Sequence, residues 1–196
     1  MEPSFLFAGL PVKDLKNKFL LAKESVVTDI NNNLPEGLEY FSLKGHFFDM
    51  IGIKTDDDVY FLADSLVSEE TIKKYHLFFL YDIREYLNTL DYLSTLTGKL
   101  YIASHCEATD NILPIINANR DKVNEICNTI CSFCEEEIIF EELLQKVFDT
   151  YGLTMNANQY VLIGSTIKSY LSYLNEEGRI CFKFEDNKMY WKHMIL

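Results

Sequence analysis

Gly45-His46-Phe47-Phe48-Asp49-Met50-Ile51-Gly52 separates two short segments of strand-like character. Before it, Leu38-Glu39-Tyr40-Phe41-Ser42-Leu43 alternates; after it, Met50-Ile51-Gly52-Ile53-Lys54 resumes the pattern. Period-two alternation bounded by Gly, Asp and Pro reads as strands. The stretch therefore sets a histidine where a strand stops and a loop begins. Two other segments repeat the layout. Val59-Tyr60-Phe61-Leu62-Ala63 predicts a third strand, apolar enough to be buried on both faces, and Asp64 follows it. Leu100-Tyr101-Ile102-Ala103 predicts a fourth, running straight into Ser104-His105. Loops at strand ends gather along one rim of a sheet, where side chains from distant positions meet. His46, Asp64 and His105 are thus the candidate site residues, and imidazole and carboxylate are good donors to zinc and iron.

Helical periodicity occupies the intervals. Leu15, Phe19, Leu20 and Ala22 sketch an early apolar face within residues 1–33, and Asn31-Asn32-Asn33 with Pro35-Glu36-Gly37 breaks it. Ser68 is placed to cap a helix start. Residues 81–97 predict an amphipathic helix with Ile83, Leu87, Leu90, Leu93 and Leu96 on one side, ended by Gly98. Beyond residue 110 the chain turns helical, with helices predicted over 110–134, 138–151 and 156–176. Ile180-Cys181-Phe182-Lys183-Phe184 and Met189-Tyr190-Trp191-Lys192 then flank Glu185-Asp186-Asn187-Lys188 as a β-hairpin. Helices followed by a hairpin are the order of a winged-helix module. The reading is an α+β chain with two parts: an αβ unit over 1–109 and a helical, winged-helix-like extension over 110–196.

Composition excludes several classes. With 196 residues, 48% hydrophobic and 14% aromatic, the chain is long and apolar enough for a buried core. No stretch approaches the roughly 20 apolar residues of a membrane helix, and Met1-Glu2-Pro3-Ser4 lacks the basic region of a signal peptide. A net charge of −12 without any basic block disfavours nucleic acid. The candidate recognition helix over 156–168 carries a single basic residue, Lys168. Tyr160, Tyr170 and Tyr173 suggest a partner surface there instead. Five cysteines form no disulfide pattern, which points to a reducing cytoplasm. Cys127, Cys131 and Cys134 copy an iron–sulfur spacing, but they also lie at i, i+4 and i+7 of a helix, a packing stripe. His76 either lines a pocket or packs at the start of the next helix, and His193 is expected at the surface.

Taken together, Gly45-His46, Phe61-Leu62-Ala63-Asp64-Ser65-Leu66 and Ser104-His105-Cys106 resemble the later motifs of the metallo-β-lactamase superfamily. The likeness covers nearly all 196 residues and is strongest to bacterial members with a long helical C-terminal extension. It implies the C-terminal half of an αββα metallo-β-lactamase sandwich. It also implies a binuclear zinc or iron site, with His46 on one metal, His105 on the other and Asp64 bridging. Such relatives hydrolyse a small ester, thioester, phosphoester or lactam through a metal-bound hydroxide.

The sequence departs from that family at a decisive place. The early His-x-His-x-Asp-His motif is absent, and the four histidines His46, His76, His105 and His193 are scattered. Met50 stands where many members carry a second His, and Cys106 replaces the usual Gly. Each metal keeps one histidine and a share of Asp64, whereas zinc sites use three or four protein ligands. The expectation is a truncated or fragmentary metallohydrolase with weak or absent metal, inactive alone and taking a small-molecule substrate only if completed. Its partner is then a missing N-terminal half. The alternative is a non-catalytic protein that homo-oligomerises through an exposed sheet face or its helical tail.

Overall fold

The four strands form where alternation and β-branching place them. The computed structural model describes residues 3–16 and 24–194. The early apolar face through Phe19, Leu20 and Ala22 lies outside the described residues. Before the sheet come a short helix α1 (Pro3–Leu6), a 3-10 turn over Lys13–Leu15 and a single helical turn α2 (Ile30–Asn33) capped by Asp29. Strands β1 (Leu38–Ser42), β2 (Ile51–Thr55), β3 (Val59–Phe61) and β4 (Leu100–Ile102) form one sheet in that order. β1, β2 and β3 are antiparallel neighbours, and β4 joins β3 in parallel. A parallel neighbour needs a crossover. It is supplied by α3 (Glu69–Tyr75), capped by Ser68 as expected, and α4 (Ile83–Thr95), capped by Asp82.

One face of this sheet is buried. Tyr60 and Tyr101 stack with centroids 5.5 Å apart, and they join Leu43, Ile83, Tyr86, Leu90 and Leu93 in the core. The other face is only partly covered by the described residues. The strand register aligns Leu38, Tyr40, Ile51, Ile53, Val59, Phe61, Leu100 and Ile102 on it, and none of the eight is buried. This corrects the expectation for β3: only Tyr60 of its three residues is buried, and Phe61 is 43% exposed. An apolar strand need not have two covered faces; here its apolar residues outnumber the neighbours able to cover them.

The remainder is helical with a second small sheet. α5 (Leu113–Phe133) begins later than its apolar pattern, because Thr109 and Asn111 fold into a side-chain-bonded turn ahead of it. β5 (Ile138–Ile139) precedes α6 (Phe140–Thr150); helical periodicity extends over both, yet Ile138 and Ile139 are strand. α7 (Ala157–Glu176), capped by Asn156, leads to β6 (Ile180–Glu185) and β7 (Lys188–His193). Asp186 and Asn187 both have positive φ (49° and 59°), as a two-residue hairpin turn requires. The sheet order is β5-β7-β6. Tyr170, expected on a partner surface, is instead 1% exposed and belongs to the core. Its neighbour one turn away, Tyr173, packs partly against that core, while Tyr160 is 43% exposed.

Asn119 of α5 ties these parts together. Fully buried, it accepts from the Val67 N–H (3.1 Å) and donates to the Val67 carbonyl (2.7 Å), as a paired strand residue would. It also donates to the Ile115 carbonyl and accepts from the Tyr86 hydroxyl at 2.8 Å. Replacing it with an apolar side chain orphans three buried groups, each costing about 1–3 kcal/mol. Asn119→Leu is expected to lower unfolding free energy by about 3 kcal/mol or more in urea denaturation. A loss below about 0.5 kcal/mol, the range of ordinary surface changes, would show that the network is not the tie described.

Candidate functional site

His46 owes its position to Gly45. Gly45 has φ +117°, and a Cβ there would stand 2.3 Å from the Tyr86 backbone. Only glycine permits that approach and that φ. Its carbonyl accepts from the N–H groups of Tyr81 and Asp82 at 2.9 and 3.0 Å, and Thr89 Oγ1 donates to the Lys44 carbonyl at 2.7 Å. The loop is therefore bolted to the start of α4. His46 meets the Phe79 ring edge-on at 5.5 Å and hydrogen-bonds the Phe79 backbone. A bond of this kind fixes the ring and leaves its other nitrogen free to face the site.

Asp64 sits one residue past a similar bend. Ala63 has φ +47°, uncommon for a residue with a Cβ. Parallel pairing continues through it, with Leu62 N–H on the Ile102 carbonyl and Ser104 N–H on the Ala63 carbonyl, both 2.8 Å. β3 and β4 thus deliver Asp64 and His105 side by side. The His105 backbone pairs with Val67 and accepts from the Ser68 N–H at 3.2 Å.

The three sequence-selected side chains are brought together. His46 Nε2 lies 3.5 Å from Asp64 Oδ2, and His105 Nε2 lies 3.6 Å from Asp64 Oδ1. Each imidazole addresses a different carboxylate oxygen. Both separations exceed an ordinary hydrogen bond. They suit two donors on one ion, since tetrahedral bonds of about 2.0–2.1 Å put neighbouring donors roughly 3.3–3.4 Å apart. Burial lowers the pKa of His46 from its ordinary 6.5, partly opposed by the Asp64 charge, and favours the neutral, ligating form. The ligand count does not fit a metal, however. Each carboxylate oxygen has one imidazole, and among the described residues no group of three or more His, Cys, Asp or Glu side chains is disposed to hold an ion.

The rim opens into a cleft of about 800 Å³. One wall is α3, another the segment Leu77 to Phe79, and a third comes from the helical part through Leu153, Thr154, Asn156, Gln159 and Ile163. The sequence pattern singles out none of these as site residues. Glu70 and Lys74 share an i, i+4 spacing that signals one helix face, but nothing local announces that α7 meets it. His76 neither lines the cleft nor starts the next helix. It ends α3 with φ 57° and ψ −51°, and its ring stacks on Tyr151 at 5.4 Å. His193 is exposed. Cys127, Cys131 and Cys134 pack in the core, and burial pushes the Cys127 and Cys134 thiols up to about 12.

No protein-family model and no curated protein matches the sequence. Solved structures match the fold. A metallo-beta-lactamase family protein from Thermus thermophilus aligns with TM-score 0.62 and 14% identity over 80% of this chain and 49% of that one. A beta-lactamase domain protein from Burkholderia ambifaria aligns with TM-score 0.65 and 14% identity over 80% of this chain and 47% of its own. The chain spans about half the length of these structures.

Two backbone tests follow from the loop geometry. Gly45→Ala is expected to cost about 3 kcal/mol or more, because the new methyl meets backbone that cannot rotate away. Ala63→Gly is expected to stabilise by about 0.5–1 kcal/mol, the relief of positive φ less the added chain entropy. Denaturation midpoints check both, and a destabilised Ala63→Gly would contradict the strain. The His46 shift adds a pH test. A pKa lowered on folding costs nothing well above 6.5 and removes stability as pH falls below it. His46→Gln should flatten that acid-side slope; parallel profiles for the two proteins would refute it.

Proposed function

We propose that this chain, which has the metallo-β-lactamase fold, is part of a metal-dependent hydrolase whose remaining ligands lie on polypeptide outside this sequence. The observation that carries the reading is the placement of His46 and His105 on opposite oxygens of Asp64, at a sheet rim that opens into a cleft. A bridging carboxylate with one imidazole on each side is half of a two-metal site. By the resemblance, His46, Asp64 and His105, with the missing ligands, would hold a metal pair that would supply activated water for hydrolysis. In that site His46, Asp64 and His105 are ligands rather than proton-transfer groups, and the cleft walls orient the substrate. Alone, two protein donors per ion hold zinc or iron weakly, so the chain is inactive until completed.

The division into a partial αβ unit over 1–109 and a winged-helix-like unit over 110–196 is part of the same proposal. The order α5-β5-α6-α7-β6-β7 with sheet order β5-β7-β6 supports the winged-helix reading. α5 serves both units, since Asn119 bonds the loop after β3. The open sheet face, with its eight apolar positions, supports the half-sandwich reading and points to a second apolar layer as its cover. The same face favours a second reading, a non-catalytic protein that self-associates. A clean monomer by light scattering at high concentration would count against that alternative.

The hydrolase reading predicts little metal in the purified chain after dialysis and no turnover of generic ester or phosphodiester substrates. Added zinc should raise the melting temperature of the native chain only at concentrations far above those of structural sites, and Asp64→Asn should abolish the rise. A zinc response unchanged by Asp64→Asn would remove the site from this role. A stoichiometric, tightly held metal pair with turnover would overturn the claim that the chain is incomplete.

A further inference from the structure

The cleft is chemically two-ended. The Asp64 rim is polar. Beyond the rim the lining is mixed: Phe78 and Phe79 from one side and Leu153 and Ile163 from the helical part supply apolar wall, beside Thr71, Asn156 and Gln159. A volume of about 800 Å³ falls within the range that encloses a small organic ligand.

Lys74 supplies a charge away from the rim. It lines the cleft one turn beyond Glu70. Its ammonium lies 4.8 Å from the Tyr75 ring centroid and hydrogen-bonds the Tyr75 side chain; Glu70, one turn back on the same wall, is the carboxylate that acts on it, without a direct ion pair. The neighbouring Lys73, by contrast, is paired with Glu69 at 3.1 Å. Ser68, bonded to the His105 backbone, marks the rim end of α3. Six residues at 1.5 Å each place Lys74 roughly 9 Å along the helix from it.

The walls are held in place. His76 forms a γ-turn in which the Leu77 N–H reaches the Tyr75 carbonyl at 2.6 Å. That turn sends Leu77 to Phe79 back beneath the cleft that α3 walls. Such a backbone persists only where surroundings over-determine it. Here the His76 ring is stacked on Tyr151, whose hydroxyl reaches Glu125 Oε1 at 3.1 Å. Lys122, 6% exposed, pairs with the same oxygen at 2.8 Å and faces the Tyr151 ring at 4.7 Å.

We propose that the cleft binds a small amphipathic anion, with an acyl or aromatic body against Phe78, Phe79, Leu153 and Ile163 and its anionic group at Lys74. This deepens the hydrolase reading by naming a substrate class and rests on it only for the reacting end at Asp64. Binding of the body and the anion requires no metal.

The test titrates the isotope-labelled full chain with octanoate and with 1-octanol, both in chelator, following amide shifts. Octanoate should bind saturably with shifts at Lys74, Phe79, Leu153 and Ile163, and octanol about tenfold more weakly. Lys74→Gln should erase that discrimination while leaving octanol binding unchanged. Thr154→Trp, a bulky group at an exposed position of the mouth, should weaken both ligands by about tenfold. Equal affinity for the two, an unchanged preference in Lys74→Gln, no saturable binding, or shifts centred on Tyr40 and Phe61 of the open sheet face would overturn the proposal. Octanoate binding without turnover after the missing ligands are supplied would remove the hydrolase reading alone. Turnover with no preference for an anion would remove this proposal alone.

Discussion

The side-chain amide of Asn119 is the constraint on which the rest depends. A strand that ends must find partners for its outgoing backbone or leave them in water. After β3 the chain is buried at Val67; His105 pairs beside it through the Ser68 N–H, but no described strand bonds the Val67 N–H and carbonyl themselves. Asn119 takes that place from a helix, offering acceptor and donor in the spacing of a peptide group. Its oxygen also receives the Tyr86 hydroxyl, so α4 is held by the same atom. Tyr86 in turn is the residue whose backbone leaves Gly45 no room for a side chain. A chain of contacts thus runs from α5 through α4 to His46, and from α5 through Val67 to His105. The two imidazoles are positioned by one buried network.

Most of this framework can be read from local pattern. β1 and β2 alternate, the Asp186-Asn187 turn announces its hairpin, and Ser68 and Asn156 mark helix starts because their oxygens meet orphaned N–H groups. His46, Asp64 and His105 are legible for a related reason: each follows a strand, and strand ends share a rim. The features that escape are those set by long-range packing. Ile138-Ile139 is a strand only because Trp191 and Tyr190 lie beside it. Phe61 has the composition of a doubly buried position yet faces outward, since a residue cannot declare whether its neighbour exists. Tyr170 and Tyr160 look alike in sequence; a helical turn of phase separates core from surface.

The cleft shows the same limit in chemical terms. Its rim is legible, but its walls join Lys74, Phe79 and Ile163, residues that no spacing rule connects. Strain is likewise invisible beforehand. Ala63 and His76 are ordinary letters that adopt positive φ. One aims a carboxylate and the other folds the chain under α3. The donors are well placed and too few, a combination that separates the geometry of a site from its capacity.

The open face of the four-stranded sheet has a consequence for how the protein exists in a cell. Where apolar area stays exposed after folding, the final share of stability is gained on association, and association follows mass action. If a second apolar layer covers this face, as proposed, the folded fraction depends on how much of that layer is present, not on temperature alone. Copies in excess of such a layer would offer each other, and proteases, an apolar surface and the edge of β1, which no described strand pairs on its outer side. Supply of the cover would set the abundance of this chain, so the amounts of the two would be matched by clearance of the surplus, without any need for matched synthesis.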